Sequence, residues 1–215
     1  SIIPRYAILD PRLTTALPPQ TTATTGMDAL THAVEAYIGR SNTKKTKESA
    51  EKAVKLIFDN LLTAYEHGDD LEARRNMQTA SYYAGVAFTR AYVGYVHALA
   101  HALGGFYGTP HGLANSVLLP VVLEYYGESA HKPLARLAEI VGICSEGDDA
   151  AKATKFIEKI KEMNAAKLIP SVIDGIDPKD VPEMAKRAAA EGNPLYPGPR
   201  LLGADELEKI YGLIM

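Results

Sequence analysis

Three of the chain's six histidines, His97, His101 and His111, fall in the run G-Y-V-H-A-L-A-H-A-L-G-G-F-Y-G-T-P-H-G-L-A-N that covers residues 94–115. His97 and His101 stand four apart in an alanine-rich apolar stretch, so a helix there puts both rings on one face. Gly104, Gly105, Gly108 and Pro110 then break the chain, and a reversal at that point could bring His111 back toward the other two. Upstream, D-A-L-T-H sets Asp28 and His32 four apart on another helical stretch. A carboxylate and several imidazoles drawn from three places suit a divalent metal of borderline softness.

Plainer readings compete with each of these. Asp28 alone could be a helix-start carboxylate favoured by the dipole, and His32 an ordinary histidine. The stretch around them is mostly apolar, however, and a lone buried carboxylate costs several kcal/mol unless a cation or hydrogen bonds compensate. His97 and His101 could be core histidines bonded to backbone carbonyls. A metalloprotease helix needs glutamate directly after the first histidine, and Ala98 stands there, which excludes that chemistry. Gly104, Gly105 and Gly108 follow no strand and match neither glycine-rich nucleotide fingerprint, so they read as turn and close-packing glycines. His67 and His131 lie in polar settings and read as solvent-exposed, Cys144 as buried, and the Tyr82-Tyr83 and Tyr125-Tyr126 pairs as packing. Spacing therefore leaves five candidates, Asp28, His32, His97, His101 and His111, for a site that takes four protein ligands or fewer. It does not say which stands aside.

The elements that must position them read as helices. One carries Asp28 and His32 to about Ile38 after a polar, threonine-rich lead-in at residues 18–25, with a threonine as its cap. Others are expected over 43–66, 71–88, 117–126 with Pro120 near the start, 133–141 with Pro133 in the first turn, 151–163, 178–190, and from Asp205 onward. Tyr6-Ala-Ile-Leu, closed by Asp10-Pro11, reads as one short strand. The expected fold is an all-α helical bundle with one short N-terminal strand, in a single domain over residues 1–215. The 215 residues, 47% hydrophobic and 23% charged, fit a soluble globular protein with a real core. A net charge of −3 gives no footprint for nucleic acid, and no apolar run nears the roughly 20 residues of a membrane span. One cysteine excludes an internal disulfide and suits a reducing, cytoplasmic compartment. The chain starts without methionine, straight into the expected strand, which reads as a piece of something longer.

The stretches T-G-M-D-A-L-T-H-A-V-E at 25–35, G-Y-V-H-A-L-A-H-A-L-G-G at 94–105 and T-P-H-G-L-A-N at 109–115 together resemble the signatures of the iron-containing (group III) alcohol dehydrogenases. The resemblance runs from Ile3 and Pro4 to the last helix. It implies the C-terminal, dehydroquinate synthase-like helical domain of that family, with residues 1–20 as the strand and linker joining a missing N-terminal dinucleotide-binding domain. It implies Asp28, His32, His97 and His111 as metal ligands. His101 is left free where nicotinamide and substrate meet, as a proton relay and cofactor contact, and Phe88 lines the pocket. The implied cofactors are Fe(II), with Zn(II) as an alternative, and NAD or NADP. The implied activity interconverts alcohols and aldehydes or ketones, in a full-length enzyme that is a homo-oligomer, the chain alone showing little turnover. Two other functions share the features: the metal-bearing half of a dehydroquinate-synthase-like lyase, and a non-enzymatic metal-stabilised helical assembly module.

Overall fold

The computed structural model describes residues 6–215. Nine α-helices follow one another: α1 (Pro19–Ile38), α2 (Lys44–Glu66), α3 (Leu71–Ala91), α4 (Tyr95–Tyr107), α5 (His111–Tyr126), α6 (Glu128–Ile140), α7 (Asp149–Ala166), α8 (Val181–Gly192) and α9 (Ala204–Gly212). Short 3₁₀ turns at Pro11–Thr14 and Pro178–Asp180 precede α1 and α8. No strand occurs among the described residues. Residues 6–9, expected as a strand, form no regular element and are exposed, Ile8 to 95%. A strand needs a neighbour's backbone to pair with, and none of the described residues offers one. The Ile3-Pro4 start of the resemblance lies outside the described residues.

The all-α bundle expected from periodicity is present. α1 packs on α2, α3 and α5, α4 packs on α5 and α8, α8 packs on α9, and α6 packs on α7. One apolar cluster runs through the whole set, from Met27 and Leu30 on α1 to Ile210 on α9. α1 is largely buried because it sits among three partners, and thirteen of its twenty residues face inward.

Several boundaries depart from the sequence reading, each for a local reason. α1 begins at Pro19, whose fixed φ suits a first helical position. The threonines expected to lead in and cap are inside the helix, where Thr24 and Thr25 donate to the carbonyls of Gln20 (3.0 Å) and Thr21 (2.7 Å). Asp28 is consequently mid-helix, and the helix-start explanation for it falls away. α5 begins at His111, so Pro120 lies in its interior. Proline has no N–H to give the carbonyl four residues back. That carbonyl, Ser116, instead accepts a bond of 2.7 Å from the Asn164 side chain on α7. α6 begins at Glu128, and Pro133 lies beyond its first turn. Elsewhere capping follows the sequence: Thr43 and Thr46 form a reciprocal cap on α2, and Asp70 and Asp148 cap α3 and α7.

Candidate metal centre

The central motif folds as a helix reversal. Gly104 and Gly105 stay helical within α4, and Gly108 ends it with φ 64°, a left-handed cap suited to glycine. Three residues later His111 opens α5, which packs back on α4. Gly112 lets the start of α5 approach α1 closely. A Cβ there would lie 2.6 Å from the Thr24 carbonyl oxygen, one turn before Asp28. Gly94 does the same for α4, since a Cβ on it would lie 2.6 Å from Glu35 Oε1.

This packing gathers donors from α1, α4 and α5. Asp28, His97 and His111 each present a ligand atom, all within 4.8 Å of one another. His111 Nε2 is 3.3 Å and His97 Nε2 3.9 Å from Asp28 Oδ1. His32 stands beside this set: its Nδ1 is 3.7 Å from Asp28 Oδ2, and its ring lies 4.3 Å from the rings of both His97 and Phe88. Phe88 stacks on it at an interplanar angle of 21°. His101 comes to the same place from one turn along α4. Its ring stacks on His111 at 5.3 Å, while its Nδ1 is 2.6 Å from Glu191 Oε1.

His97 is the most telling member. It is 2% exposed, and its Nδ1 lies 2.6 Å from Glu35 Oε2, an arrangement in which the ring N–H donates to the carboxylate. Glu35 is itself buried, and its other oxygen accepts the Val96 backbone N–H at 2.8 Å. With Nδ1 protonated, Nε2 carries a lone pair, and that buried atom has no hydrogen-bond partner. Such an atom aimed at a carboxylate and a second imidazole fits a cation. The neighbouring histidines suit one too. Burial pushes His32 down to about 4 and likewise lowers His111. Both are neutral donors at pH 7, the form a metal requires.

The site opens through a cavity of about 410 Å³, lined by these histidines with Phe88, Tyr92, Val93 and Tyr196. That volume lies within the usual range for a small-molecule pocket. Elsewhere, His67 is exposed and Cys144 buried, as read from sequence, whereas His131 is half-buried against α7.

Four residues escaped the sequence reading. Glu35 lies seven residues after Asp28, two turns along one helix face, so a carboxylate in that apolar run was a usable signal. Asn115 lies four after His111. Its amide nitrogen donates to Asp28 Oδ1 at 2.6 Å and sits 3.0 Å from His111 Nε2, holding the two together. Glu191 and Tyr196 carry no local signal, because only the fold brings them to His101. The Tyr196 hydroxyl donates to Glu191 Oε1 at 2.6 Å, so one carboxylate oxygen serves both the phenol and the imidazole.

Comparison with known proteins follows the same lines. The family model described as Fe-containing alcohol dehydrogenase family, C-terminal, matches residues 22–215. The chain is 42% identical to 1,3-propanediol dehydrogenase of Citrobacter freundii over 212 residues, 97% of this chain and 54% of that protein. It is 40% identical to alcohol dehydrogenase 4 of Schizosaccharomyces pombe, over 91% of this chain and 47% of the relative. Among solved structures, a 1,3-propanediol oxidoreductase superposes with a TM-score of 0.92 at 41% identity, over 96% of this chain and 55% of that one. An alcohol dehydrogenase from Oenococcus oeni gives 0.89 at 35% identity, over 95% and 54%. The chain thus spans about half the length of the curated relatives it matches. Among the described residues no helix is long and apolar enough to cross a membrane. Signatures, helical fold and the convergence of the histidines on Asp28 agree with these likenesses, and the chain belongs to the Fe-containing alcohol dehydrogenase family.

Proposed function

We propose that this chain is the metal-binding half of an NAD(P)-dependent alcohol dehydrogenase that interconverts alcohols with aldehydes or ketones. In this reading the chain is one helical domain whose first twenty residues lead from a dinucleotide-binding domain. The observation that carries the proposal is the unpartnered His97 Nε2, buried and facing Asp28 and His111 at the floor of an open cavity. Asp28, His97 and His111 would hold a divalent ion, with His32 completing the set. The softness of one carboxylate and three imidazoles admits iron(II) and zinc alike, and the family's iron makes iron(II) our choice. When bound, the ion would supply Lewis acidity toward an alcohol or carbonyl oxygen, and the nicotinamide would exchange a hydride with the carbon.

The chain's own residues do the rest. Glu35 locks the His97 ring with Nε2 turned toward Asp28 and His111, where it would meet the ion, and losing such an outer partner typically costs about 10- to 100-fold in metal affinity. Asn115 sets the spacing of Asp28 and His111. Glu191 accepts from His101 Nδ1, which leaves Nε2 to take the proton an alcohol loses. His101 is 43% exposed at its side chain, so that proton can pass on to solvent. The Tyr196 hydroxyl steadies the carboxylate behind it. Phe88 and Tyr92 give the cavity an aromatic wall, the place for the apolar parts of substrate and nicotinamide. The rest of the wall, the choice between NAD and NADP and the homo-oligomeric assembly belong to the whole protein, which we assign to the cytoplasm. The chain by itself is expected to bind metal and turn over little.

Metal content tests this. After anaerobic loading and desalting, the chain should hold about one equivalent of iron or zinc. His97→Ala and His111→Ala should lose it, and His101→Ala should keep it. Equal loss in all three, or retention in the first two, would overturn the assignment.

A further inference from the structure

Tyr92 carries a backbone cost that the fold around it does not require. Among the described residues only Tyr92 and Leu168 combine a side chain with a positive φ, 63° and 56°. Leu168 has a local reason. It follows α7, where its own N–H and that of Ile169 return to the Ala165 and Asn164 carbonyls, the left-handed close of a helix. Tyr92 follows α3, and its N–H bonds the Phe88 carbonyl at 2.8 Å. Its ψ of −179°, however, takes it out of the left-handed helical region. That combination belongs almost wholly to glycine, and any other residue held there strains the chain.

What Tyr92 offers in place of a glycine is its side chain, and that side chain does little for the fold. It is 54% exposed and stands outside the apolar core. It lines instead the cavity of about 410 Å³ that opens on the histidines, next to Val93 and one helical turn from Phe88. Strain kept for the sake of a side chain at a cavity is a mark of function, because structure alone would discard it.

The rest of the lining says what that side chain would meet. The polar groups lie at the histidines, and most are engaged: His101 and the Tyr196 hydroxyl share Glu191 Oε1, and the Thr89 hydroxyl donates to the Gly85 carbonyl at 2.6 Å. Phe88 is stacked on His32. Away from the histidines the cavity thus presents the bodies of Phe88, Tyr92 and Val93, which suit carbon better than a second hydroxyl. We infer that Tyr92 selects the substrate, its ring receiving the carbon chain of a monohydric alcohol or its aldehyde in preference to a polyol. The inference deepens the dehydrogenase reading and rests on the histidines being a metal site.

Two measurements on the chain test it. The first loads cobalt(II), whose visible absorption reports ligand binding, and titrates N-butylimidazole against N-hydroxypropylimidazole. These probes share one donor nitrogen and have tails of equal length, ending in methyl or hydroxyl. The butyl probe should bind about fivefold tighter or more, Tyr92→Phe should keep that ratio, and Tyr92→Ala should bring it below about twofold. The second is thermal unfolding without metal. Tyr92→Ala should melt within about 2 °C of the parent chain, and Tyr92→Gly about 2 °C or more above Tyr92→Ala, since relieved strain outweighs the disorder glycine adds to the unfolded chain. Absence of the cobalt band from the parent chain would overturn the metal reading and this inference with it. An intact band with an unchanged ratio in Tyr92→Ala would overturn this inference alone. So would a midpoint lowered by about 5 °C or more in Tyr92→Ala, which would make the ring structural, or a Tyr92→Gly midpoint no higher than that of Tyr92→Ala, which would remove the strain.

Discussion

His97 depends on a carboxylate that binds no metal itself. Glu35 sits behind the ring, fixes its tautomer and is anchored by the Val96 N–H. Glu35→Ala should therefore keep all the ligand candidates and still weaken iron or zinc binding by about 10- to 100-fold, read by competition with a chelator. A change below twofold would mean the ring is oriented by packing alone. Lys167 makes a separate prediction from its place at the end of α7, where Nζ bonds the Met163 carbonyl at 2.7 Å. Its folded pKa of about 8 lies below its ordinary 10.5, so the unfolded chain binds more protons between those values. Stability should then rise with pH from 8 toward 10, by about 2–3 kcal/mol. Above about 10 it should fall, because burial raises Tyr211, Tyr37 and Tyr196 above their ordinary value and only the unfolded chain ionises them. Chemical denaturation at stepped pH reads both limbs, and Lys167→Met should flatten the first. Of the residues around the site, Asp28, His32, His97 and His101 were legible because each pair is four apart and shares a helix face. Glu191 was not: the fold alone joins it to a histidine ninety residues earlier.

The helices set how far such local rules reach. Pro120 suggested a helix that starts near it, since proline ordinarily opens a helix. α5 instead runs through it, and the cost is met from outside the element by Asn164 on α7. No local pattern contains that acceptor–donor pair, 48 residues apart. Asn164→Ala should leave the Ser116 carbonyl buried without a partner and cost about 1–3 kcal/mol of stability in urea unfolding. A loss under 0.5 kcal/mol would indicate that water replaces the amide donor at that carbonyl. The α1 threonines make the same point in reverse. Residue type suggested a lead-in and a cap, but hydroxyls bonded back to the preceding turn let them stay helical. That placement puts Asp28 and His32 in the middle of a helix packed against α2, α3 and α5.

At the scale of the molecule, the nine helices of the described residues share one core, and the metal candidates lie where α1, α4 and α5 meet. Periodicity made that bundle readable, since each amphipathic stretch had to find a partner. The expected strand failed because pairing is a property of two segments, and only one is in hand. The central claim is that a carboxylate and imidazoles from three helices close around a single ion. X-ray absorption at the zinc edge of a stoichiometrically loaded sample addresses this directly. The account predicts nitrogen and oxygen neighbours at about 2.0–2.2 Å and the outer-shell scattering of several imidazoles. An oxygen-only shell without imidazole scattering would contradict it.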